Sequence, residues 1–350
     1  MAQTNGSGSV PVLEAVDLTK HFTARRGVFG GDRGTVRAVD GISFKIERGK
    51  TLGIVGESGC GKTTTAKLVL GLEDPTGGSI RFDGRNLKTL DSAGRRAYRK
   101  SVQAVFQDPY ASLNPRMRIS AIITEPLVTN ESLSRDQVRE RVQELLDMVG
   151  LPARAADLFP HEFSGGQRQR IAIARALALS PKLIVLDEPV SALDVSIRAQ
   201  ILNLLRDLQE RLGLAYLFIA HDLAAVAHMS HEIAVMYLGR IVEVGDAKPL
   251  ALRPQHPYTE ALFSAALPSH PDERRDEIII AGEVPSPINP PSGCRFHPRC
   301  PQAIPRCSEE VPVLRETGGR RAACHLLDDA AAAGSIAAAA PAALAAVPGG

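Results

Sequence analysis

The stretch GESGCGKT, residues 56–63, constrains the fold of this chain more than any other feature. The apolar run TLGIV (51–55) precedes it, and the helix-like run KTTTAKLVLGL (62–72) follows it. Glycines let backbone N–H groups curl around phosphate oxygens, and the following helix adds the positive end of its dipole. The pattern G-x-x-x-x-G-K-[ST] between a strand and a helix therefore predicts a phosphate-binding loop.

The motif assigns roles in binding a nucleoside triphosphate to individual residues of this loop. Lys62 is expected to reach the β and γ phosphates, and the Thr63 hydroxyl is expected to bind Mg²⁺. The residues predicted to contact nucleotide here are Gly56, Glu57, Ser58, Gly59, Cys60, Gly61, Lys62, Thr63 and Thr64.

The rest of the chain alternates short apolar runs with amphipathic segments, which indicates an α/β fold with a largely parallel sheet. Helices are predicted over 134–150, which opens with a capping box of Ser134 and Gln137, and over 194–212. The predicted strands are TLGIV (51–55), SVQAVF (101–106), LIVL (183–186), YLFIA (216–220), IAVM (233–236) and, at a sheet edge, GRIVEVG (239–245).

Composition argues against several classes of protein. The chain has 350 residues, and its net charge of +2 gives no overall field that points to nucleic acid. No uninterrupted apolar run reaches the ~18 residues of a membrane helix. Met1–Val10 lacks the apolar core of a signal peptide. We expect a soluble cytoplasmic protein that contacts a membrane only through other chains.

Two adjacent acids end the apolar run LIVLDE (183–188). The carboxyl ends of strands in an α/β sheet are where ligands bind, which favours a functional role over a merely solvated strand end. Asp187 is expected to hold Mg²⁺, mostly through water. Glu188 is expected to act as the general base that polarises the attacking water.

A second anion-binding surface is predicted in FSGGQRQRIAIARAL (163–177), where a Ser-Gly-Gly sequence opens a long helix. This segment resembles the LSGGQ signature of the ABC ATPases, with Phe163 in place of leucine. The resemblance implies a P-loop NTPase fold with an ABC-type ATPase core and a helical subdomain. It also implies a head-to-tail dimer, in which the signature of one protomer faces the γ-phosphate held by Lys62 of the other. The signature residues implied are Ser164, Gly165, Gly166 and Gln167.

Other elements of that family follow in the expected order. Gln107 in VFQDP matches the Q-loop glutamine, which contacts Mg²⁺, senses the γ-phosphate and couples to the membrane partner. His221 in IAHD matches the switch histidine, and SALD, ending at Asp194, matches the D-loop. Phe22 in DLTKHF is the candidate for the aromatic side chain that stacks on adenine. The catalytic residues implied are Lys62, Gln107, Glu188 and His221.

Several stretches further resemble the ATP-binding subunits of oligopeptide/dipeptide importers. They are AVDGISF (38–44), GESGCGKTT (56–64), QDPYASLNPRM (107–117), HPYTEAL (256–262) and GEVPSPINPPSGCRFHPRCP (282–301). SLNPRM and the long insert between Phe22 and Ala38 look more like the second ATPase of such importers than the first. The resemblance implies an ATPase that powers peptide import, bound at the cytoplasmic face of the membrane.

The implied partners are a sister ATPase, two membrane permeases and an external peptide-binding protein. An importer of nickel or another small solute shares the tail pattern and stays open as an alternative. A soluble ABC ATPase of translation or DNA repair is disfavoured, because those carry tandem ATPase domains or a long coiled coil, and neither is present.

Four of the five cysteines lie within residues 294–324, in a proline-rich tail. Clustered thiols in a cytoplasmic protein suggest a metal, because stable disulfides are disfavoured there. Zinc sites favour paired C-x2-C spacing, which is absent, although His297 and His325 lie beside the cysteines. Irregularly spaced thiolates also suit an iron–sulfur cluster. The family resemblance favours a [4Fe–4S] cluster, with zinc as the alternative, and we expect it to act as a structural staple rather than in ATP chemistry. The predicted ligands are Cys294, Cys300, Cys307 and Cys324.

These patterns predict a division of the chain. The expected parts are a disordered amino terminus (1–10), an ABC ATPase domain (11–260) with its helical subdomain at about 108–180, a cysteine-containing carboxy-terminal domain (261–328) and a disordered Ala/Pro/Gly tail (329–350).

Overall fold

The computed structural model describes residues 10–23, 34–107, 112–265 and 278–328. The segments predicted to be disordered, 1–10 and 329–350, lie outside these residues apart from Val10. Among the described helices, none is both long enough and apolar enough to span a lipid bilayer.

Two sheets organise the described residues. Their strands are β1 Leu13–Thr23, β2 Thr35–Ile46, β3 Thr51–Val55, β4 Gly77–Phe82, β5 Arg85–Asn86, β6 Val102–Val105, β7 Leu183–Asp187, β8 Ala215–Ile219, β9 Glu232–Tyr237, β10 Arg240–Asp246, β11 Arg315–Thr317 and β12 Arg320–Ala322. The first sheet is antiparallel and has the order β2-β1-β4-β5. The second has the order β11-β12-β10-β9-β3-β8-β7-β6.

The centre of the second sheet is parallel from β9 to β6, which confirms the predicted sheet type. The prediction that 239–245 forms a sheet edge is wrong. β12 pairs antiparallel with β10 on the side opposite β9, placing Glu243 across from Ala322. The short polar segment 320–322 forms a strand because β10 offers it backbone partners, and its sequence alone gives little strand signal.

The second sheet is buried on both faces. In β7, Leu183 and Val185 pack into the core beneath the first sheet. Ile184 and Leu186 point to the opposite face and pack into the core formed with the helices. A strand buried on both faces is expected to read as a continuous apolar run, which is why LIVL was recognisable in the sequence.

Some helices cover the second sheet, and others pack against one another in a group beside it. They are α1 Lys62–Val69, α2 Ser92–Ser101, α3 Ile119–Asn130, α4 Arg135–Met148, α5 Gly165–Leu177, α6 Val195–Leu212, α7 Leu223–Met229, α8 Ala247–Leu252, α9 Pro257–Ser264 and α10 Arg306–Glu309. Short 3₁₀ turns occur at Leu87–Thr89, Ala153–Asp157, Pro160–Glu162 and His297–Arg299. α3, α4 and α5 pack against one another within the range predicted for the helical subdomain. The predicted capping box of Ser134 and Gln137 opens α4 and is confirmed.

The cysteine-containing tail packs on the ATPase core. Phe296 is 1% exposed and contacts the rings of Tyr237 and Tyr258, with centroids 5.3 Å apart in each case. The boundary predicted near residue 260 falls inside α9, and Phe296 beyond it shares a hydrophobic core with Tyr258 before it. The tail is therefore joined to the fold by buried apolar contacts as well as by β12.

Candidate nucleotide site

The loop 56–63 runs from the carboxyl end of β3 into α1, as its sequence predicts. Gly61 has a φ of 114°, and a Cβ there would lie 2.2 Å from the carbonyl oxygen of Ala38. A Cβ on Gly56 would lie 2.1 Å from the carbonyl oxygen of Met236. Glycine is required at both positions by backbone conformation and by close approach of the chain. Ser58, Gly59 and Thr63 are exposed at the mouth of the loop, whereas Cys60 is buried and Thr64 is half-buried.

Lys62 begins α1 and folds back over the loop. It is 8% exposed, and its Nζ donates to the carbonyl oxygens of Gly56 at 2.6 Å and Glu57 at 3.0 Å. Its charge also acts on the carboxylate of Asp187. These two hydrogen bonds hold the ammonium over the loop.

The acids Asp187 and Glu188 lie at the carboxyl end of β7, separated from the phosphate loop's strand β3 by β8 alone. Burial, and then the neighbouring charge of Glu188, raise the pKa of Asp187, while Lys62 lowers it. A nearby cation would stabilise the ionised form of a carboxylate in this position. Hydroxyl and carboxylate oxygens are ligands that Mg²⁺ prefers, so the donor set of Thr63 and Asp187 fits this ion.

Glu188 and His221 are brought together. His221 Nδ1 lies 3.3 Å from Glu188 Oε2, and the Glu188 amide donates to the carbonyl of Ile219 at 2.7 Å. Glu188 has a φ of 51°, a backbone conformation that is uncommon for glutamate and tends to occur at functional sites. The pair lies next to Asp187, where the sequence predicts a base and the histidine that assists it.

Other predicted site residues occupy more peripheral positions. Gln107 is exposed two residues after β6, which is the neighbour of β7. Phe22 is half-buried in β1, and Lys20 Nζ lies 4.9 Å from the centroid of its ring. Asp194 is the exposed N-cap residue of α6.

The segment 164–167 opens α5 through a capping box. Ser164 Oγ accepts from the Gln167 amide at 3.4 Å, and Gln167 Oε1 accepts from the Ser164 amide at 3.0 Å. Both side chains are exposed. A Cβ on Gly166 would lie 2.5 Å from Ile197 Cγ2, so glycine there lets α5 approach α6 closely, while Gly165 is half-buried beside it. This exposed helix start is available to a second protomer.

One residue of the site was missed by sequence reasoning. Arg299, in the 3₁₀ turn between two of the clustered cysteines, forms a bidentate ion pair with Glu57 of the phosphate loop, at 2.7 and 3.1 Å. The Tyr258 hydroxyl accepts the Glu57 amide at 2.9 Å. The only signal in the sequence is Glu57, an acid inside an anion-binding loop. Such an acid implies a cationic partner, but the spacing of residues does not show which Lys or Arg it is.

The four tail thiols are all described and all free. Burial first, and then repulsion from the other three thiols, raise the pKa of Cys324 to about 11. Burial, and then Cys307 and Cys300, raise that of Cys294 to about 11. The four thiols therefore lie within electrostatic range of one another, and soft thiolates are suitable ligands for iron–sulfur clusters and zinc.

Their present arrangement nevertheless gives no support to the predicted metal. Among the described residues, no group of three or more His, Cys, Asp and Glu side chains is placed to hold a metal ion. The neighbouring histidines face backbone carbonyls instead: His297 Nδ1 lies 2.9 Å from the oxygen of Cys294, and His325 Nε2 lies 2.9 Å from that of Glu310. The donor chemistry fits a metal and the geometry does not.

Comparisons with known proteins identify the family. Residues 39–191 match the family described as ABC transporter, and residues 242–307 match that described as oligopeptide/dipeptide transporter, C-terminal region. The dipeptide transport ATP-binding protein DppF of Escherichia coli is 50% identical over 318 residues, covering 91% of this chain and 95% of that protein. The chain belongs to the ABC ATP-binding subunits of the oligopeptide/dipeptide transporter family. It is an ABC-type ATPase, which confirms the fold class and family that the sequence indicated.

Two further comparisons extend this result. The di/tripeptide transport ATP-binding protein DppF of Pseudomonas aeruginosa is 52% identical over 90% of this chain and 97% of its own length. Among solved structures, cbiO1 of Clostridium perfringens is similar with a TM-score of 0.59 and 29% identity, over 69% of this chain and 91% of that one. A dimeric ATP-binding cassette bound to ADP and Pi has a TM-score of 0.58 and 29% identity, over 67% of this chain and 98% of that one.

Proposed function

We propose that this ABC-type ATPase powers the import of dipeptides or oligopeptides across a membrane. The observation that carries the proposal is the identity of about one half, over nine-tenths of the chain, with proteins named for dipeptide transport. The match to the transporter carboxy-terminal region at residues 242–307 supports it independently of the ATPase core. Import of nickel or another small solute is the alternative.

In the proposed mechanism, each loop residue acts on the triphosphate. Lys62, whose Nζ lies over the loop, binds the β and γ phosphates, because hydrogen bonds between charged groups are the stronger ones. Thr63, Asp187 and Gln107 would hold Mg²⁺, which when bound neutralises charge on the transferring phosphoryl group. The other proposed loop contacts are those of Gly56, Glu57, Ser58, Gly59, Cys60, Gly61 and Thr64, with Glu57 contributing through its backbone because its carboxylate is paired with Arg299.

The water that attacks the γ-phosphate is activated by Glu188. Its carboxylate accepts a proton from this water as the water oxygen bonds to the γ-phosphorus, while the bond from that phosphorus to the β–γ bridging oxygen breaks and ADP leaves. His221, 3.3 Å from that carboxylate, orients the water and contacts the γ-phosphate. Phe22 stacks on the adenine.

The proposed working unit is a head-to-tail dimer with a sister ATPase. The exposed start of α5, at residues 164–167, would face the γ-phosphate bound by the partner, and Asp194 would lie at the same interface. The likeness to a dimeric cassette bound to ADP and Pi supports a dimer as the working unit.

We further propose two membrane permeases and an external peptide-binding protein as partners, with no role for nucleic acid. The chain would then sit peripherally at the cytoplasmic face of the cell membrane and touch a permease through the helical subdomain at about 108–180. The proposed division into an ATPase domain (11–260) and a carboxy-terminal domain (261–328) assigns this coupling to the former.

For the four tail thiols we retain a [4Fe–4S] cluster as the proposal, with zinc as the alternative. Its support is the donor chemistry of four neighbouring thiols. Iron, acid-labile sulfide and zinc should be measured on protein purified without oxygen. Broad visible absorbance that bleaches on reduction supports the cluster, stoichiometric zinc in colourless protein selects zinc, and the absence of both overturns the proposal.

Purification of the intact complex tests the proposed function. We expect the chain to co-purify with two permeases and a sister ATPase, and its ATP hydrolysis to rise when dipeptide and binding protein are added. Stimulation by Ni²⁺ and not by peptide would select the alternative cargo. Purification without permeases would contradict a transport role.

A further inference from the structure

An acid stands inside the loop that binds the triphosphate. A carboxylate near a triphosphate is unfavourable, because two unit charges of like sign repel strongly at the reduced dielectric of a protein surface. In this chain the Glu57 carboxylate is paired through both oxygens with Arg299, 242 residues further along. The Arg299 side chain is 7% exposed and that of Glu57 is 26% exposed, so water and salt screen the pair less than they screen a fully exposed one.

The backbone of Glu57 is held as well. Its amide donates to the Tyr258 hydroxyl at 2.9 Å, and its carbonyl accepts from Lys62 Nζ at 3.0 Å. The Cys60 amide also donates to this carbonyl at 3.3 Å, so two of the four residues that make polar contacts with Glu57 lie beyond residue 250. Both the backbone and the side chain of Glu57 are thus held by residues of the carboxy-terminal part of the chain.

Arg299 is itself rigidly placed. It belongs to the turn His297–Arg299, and the preceding Phe296 is buried against Tyr237 and Tyr258. Arg299 Nη1 also donates to the Tyr237 hydroxyl at 3.3 Å. The guanidinium thus reaches the phosphate loop from a buried aromatic cluster rather than from a surface chain.

We infer that Arg299 is a positioning residue for nucleotide binding, which neutralises Glu57 and keeps its carboxylate turned away from the triphosphate. The carboxy-terminal tail thereby completes the phosphate loop. Arg299 contacts Glu57 and acts on the nucleotide through it. The inference requires nucleotide binding at residues 56–63 and is independent of the solute transported.

Replacement of Arg299 by glutamine leaves the Glu57 carboxylate unpaired beside the triphosphate. We expect the KM for ATP to rise roughly tenfold, equivalent to about 1.4 kcal/mol, with kcat changed by less than about twofold. Affinity for a fluorescent ATP analogue, measured on the full chain with Mg²⁺, should weaken by the same factor.

The double variant Arg299→Gln, Glu57→Gln separates charge from folding. It removes the unpaired acid, and two neutral amides can hydrogen-bond to each other, so the KM should return to within about threefold of the wild-type value. Arg299→Lys, which keeps the charge and loses the bidentate geometry, should have an intermediate KM. The matched control is Arg315→Gln, which makes the same change in the tail at an ion pair with Asp328, and its KM should be unchanged.

Two results would overturn the inference. One is an unaltered KM in Arg299→Gln, and the other is a double variant as impaired as the single one. Thermal unfolding of each variant accompanies the kinetics. If Arg299→Gln fails to fold, the comparison of Arg299→Met with and without Glu57→Gln decides the matter, because neutralisation of the acid predicts that the second substitution lowers the KM and a structural role of Arg299 does not.

Discussion

At the scale of single residues, the proposed chemistry depends on how Glu188 is held. Its amide is tied to Ile219 in the neighbouring strand β8, and its carboxylate lies 3.3 Å from His221 Nδ1. The positive φ of 51° directs this side chain away from the line of β7. A group fixed by its backbone on one side and by a histidine on the other is well placed to accept a proton from water.

Glu188→Gln tests that assignment. The amide can hydrogen-bond to water and cannot accept its proton, so we expect ATP turnover to fall by at least about a hundredfold while ATP binding persists. An ATP-bound dimer should therefore accumulate, which size-exclusion chromatography with and without ATP would detect.

Glu210→Gln is the matched control. Glu210 is exposed on α6, so this substitution removes the same charge outside the proposed site. Its turnover should equal that of the wild type. Turnover of Glu188→Gln close to the wild-type rate would remove Glu188 from the role of general base.

At the scale of secondary-structure elements, the strands and helices of the ATPase core can largely be predicted from the sequence. Strand β12 and the contacts of the carboxy-terminal tail cannot. The strand LIVL and the helix opened by Ser134 carry local signals, namely a continuous apolar run and a capping box. β12 carries almost none, since Arg320–Ala322 forms a strand through pairing with β10. The contact of Arg299 with Glu57 joins residues 242 apart, which no local period can reveal.

Helix α9 is fixed to strand β10 through its N-cap residue. His256 is its N-cap residue, 1% exposed, and its Nδ1 accepts from the Tyr258 amide at 3.1 Å. Its own amide donates to the buried carboxylate of Glu243 in β10 at 2.9 Å. The ring must be neutral at Nδ1 to accept this bond, and burial lowers the pKa of His256 from 6.5 to about 3.

A pH dependence of stability follows from this histidine. Between about pH 3 and pH 6.5 the unfolded chain binds a proton at residue 256 that the folded chain excludes. The free energy of unfolding should therefore fall as the pH is lowered below 6.5, by about 1.4 kcal/mol per pH unit from this group. His256→Asn keeps an acceptor at the N-cap and removes the titration.

Denaturant unfolding of both proteins between pH 8 and pH 5 measures the difference. Groups such as Glu243, whose pKa burial raises, titrate in both proteins and largely cancel. The difference in unfolding free energy between wild type and His256→Asn should change steadily below pH 6.5 and be constant above pH 7.5. A constant difference across the whole range would show that the pKa of His256 is the same in the folded and the unfolded chain, which would contradict the lowered value.

At the scale of the whole molecule, the tail and the ATPase core form one structure in the described residues. β12 extends the main sheet, Phe296 enters the core with Tyr258, and Arg299 reaches the phosphate loop. The cysteine-rich segment that looked remote from the nucleotide in the sequence is in contact with the loop that binds it. Through this contact, a change in the tail can alter nucleotide affinity.

The proposed function, dipeptide import powered by this chain, can be observed only in the assembled complex. The measurement that tests it most directly is ATP-driven movement of a labelled dipeptide in proteoliposomes that contain the chain, its sister ATPase, the permeases and the binding protein. We predict ATP-dependent dipeptide transport with the wild-type chain and its loss with Glu188→Gln. Dipeptide transport that persists with Glu188→Gln, or ATP hydrolysis that moves no dipeptide, would rule out this chain as the ATPase that powers dipeptide import.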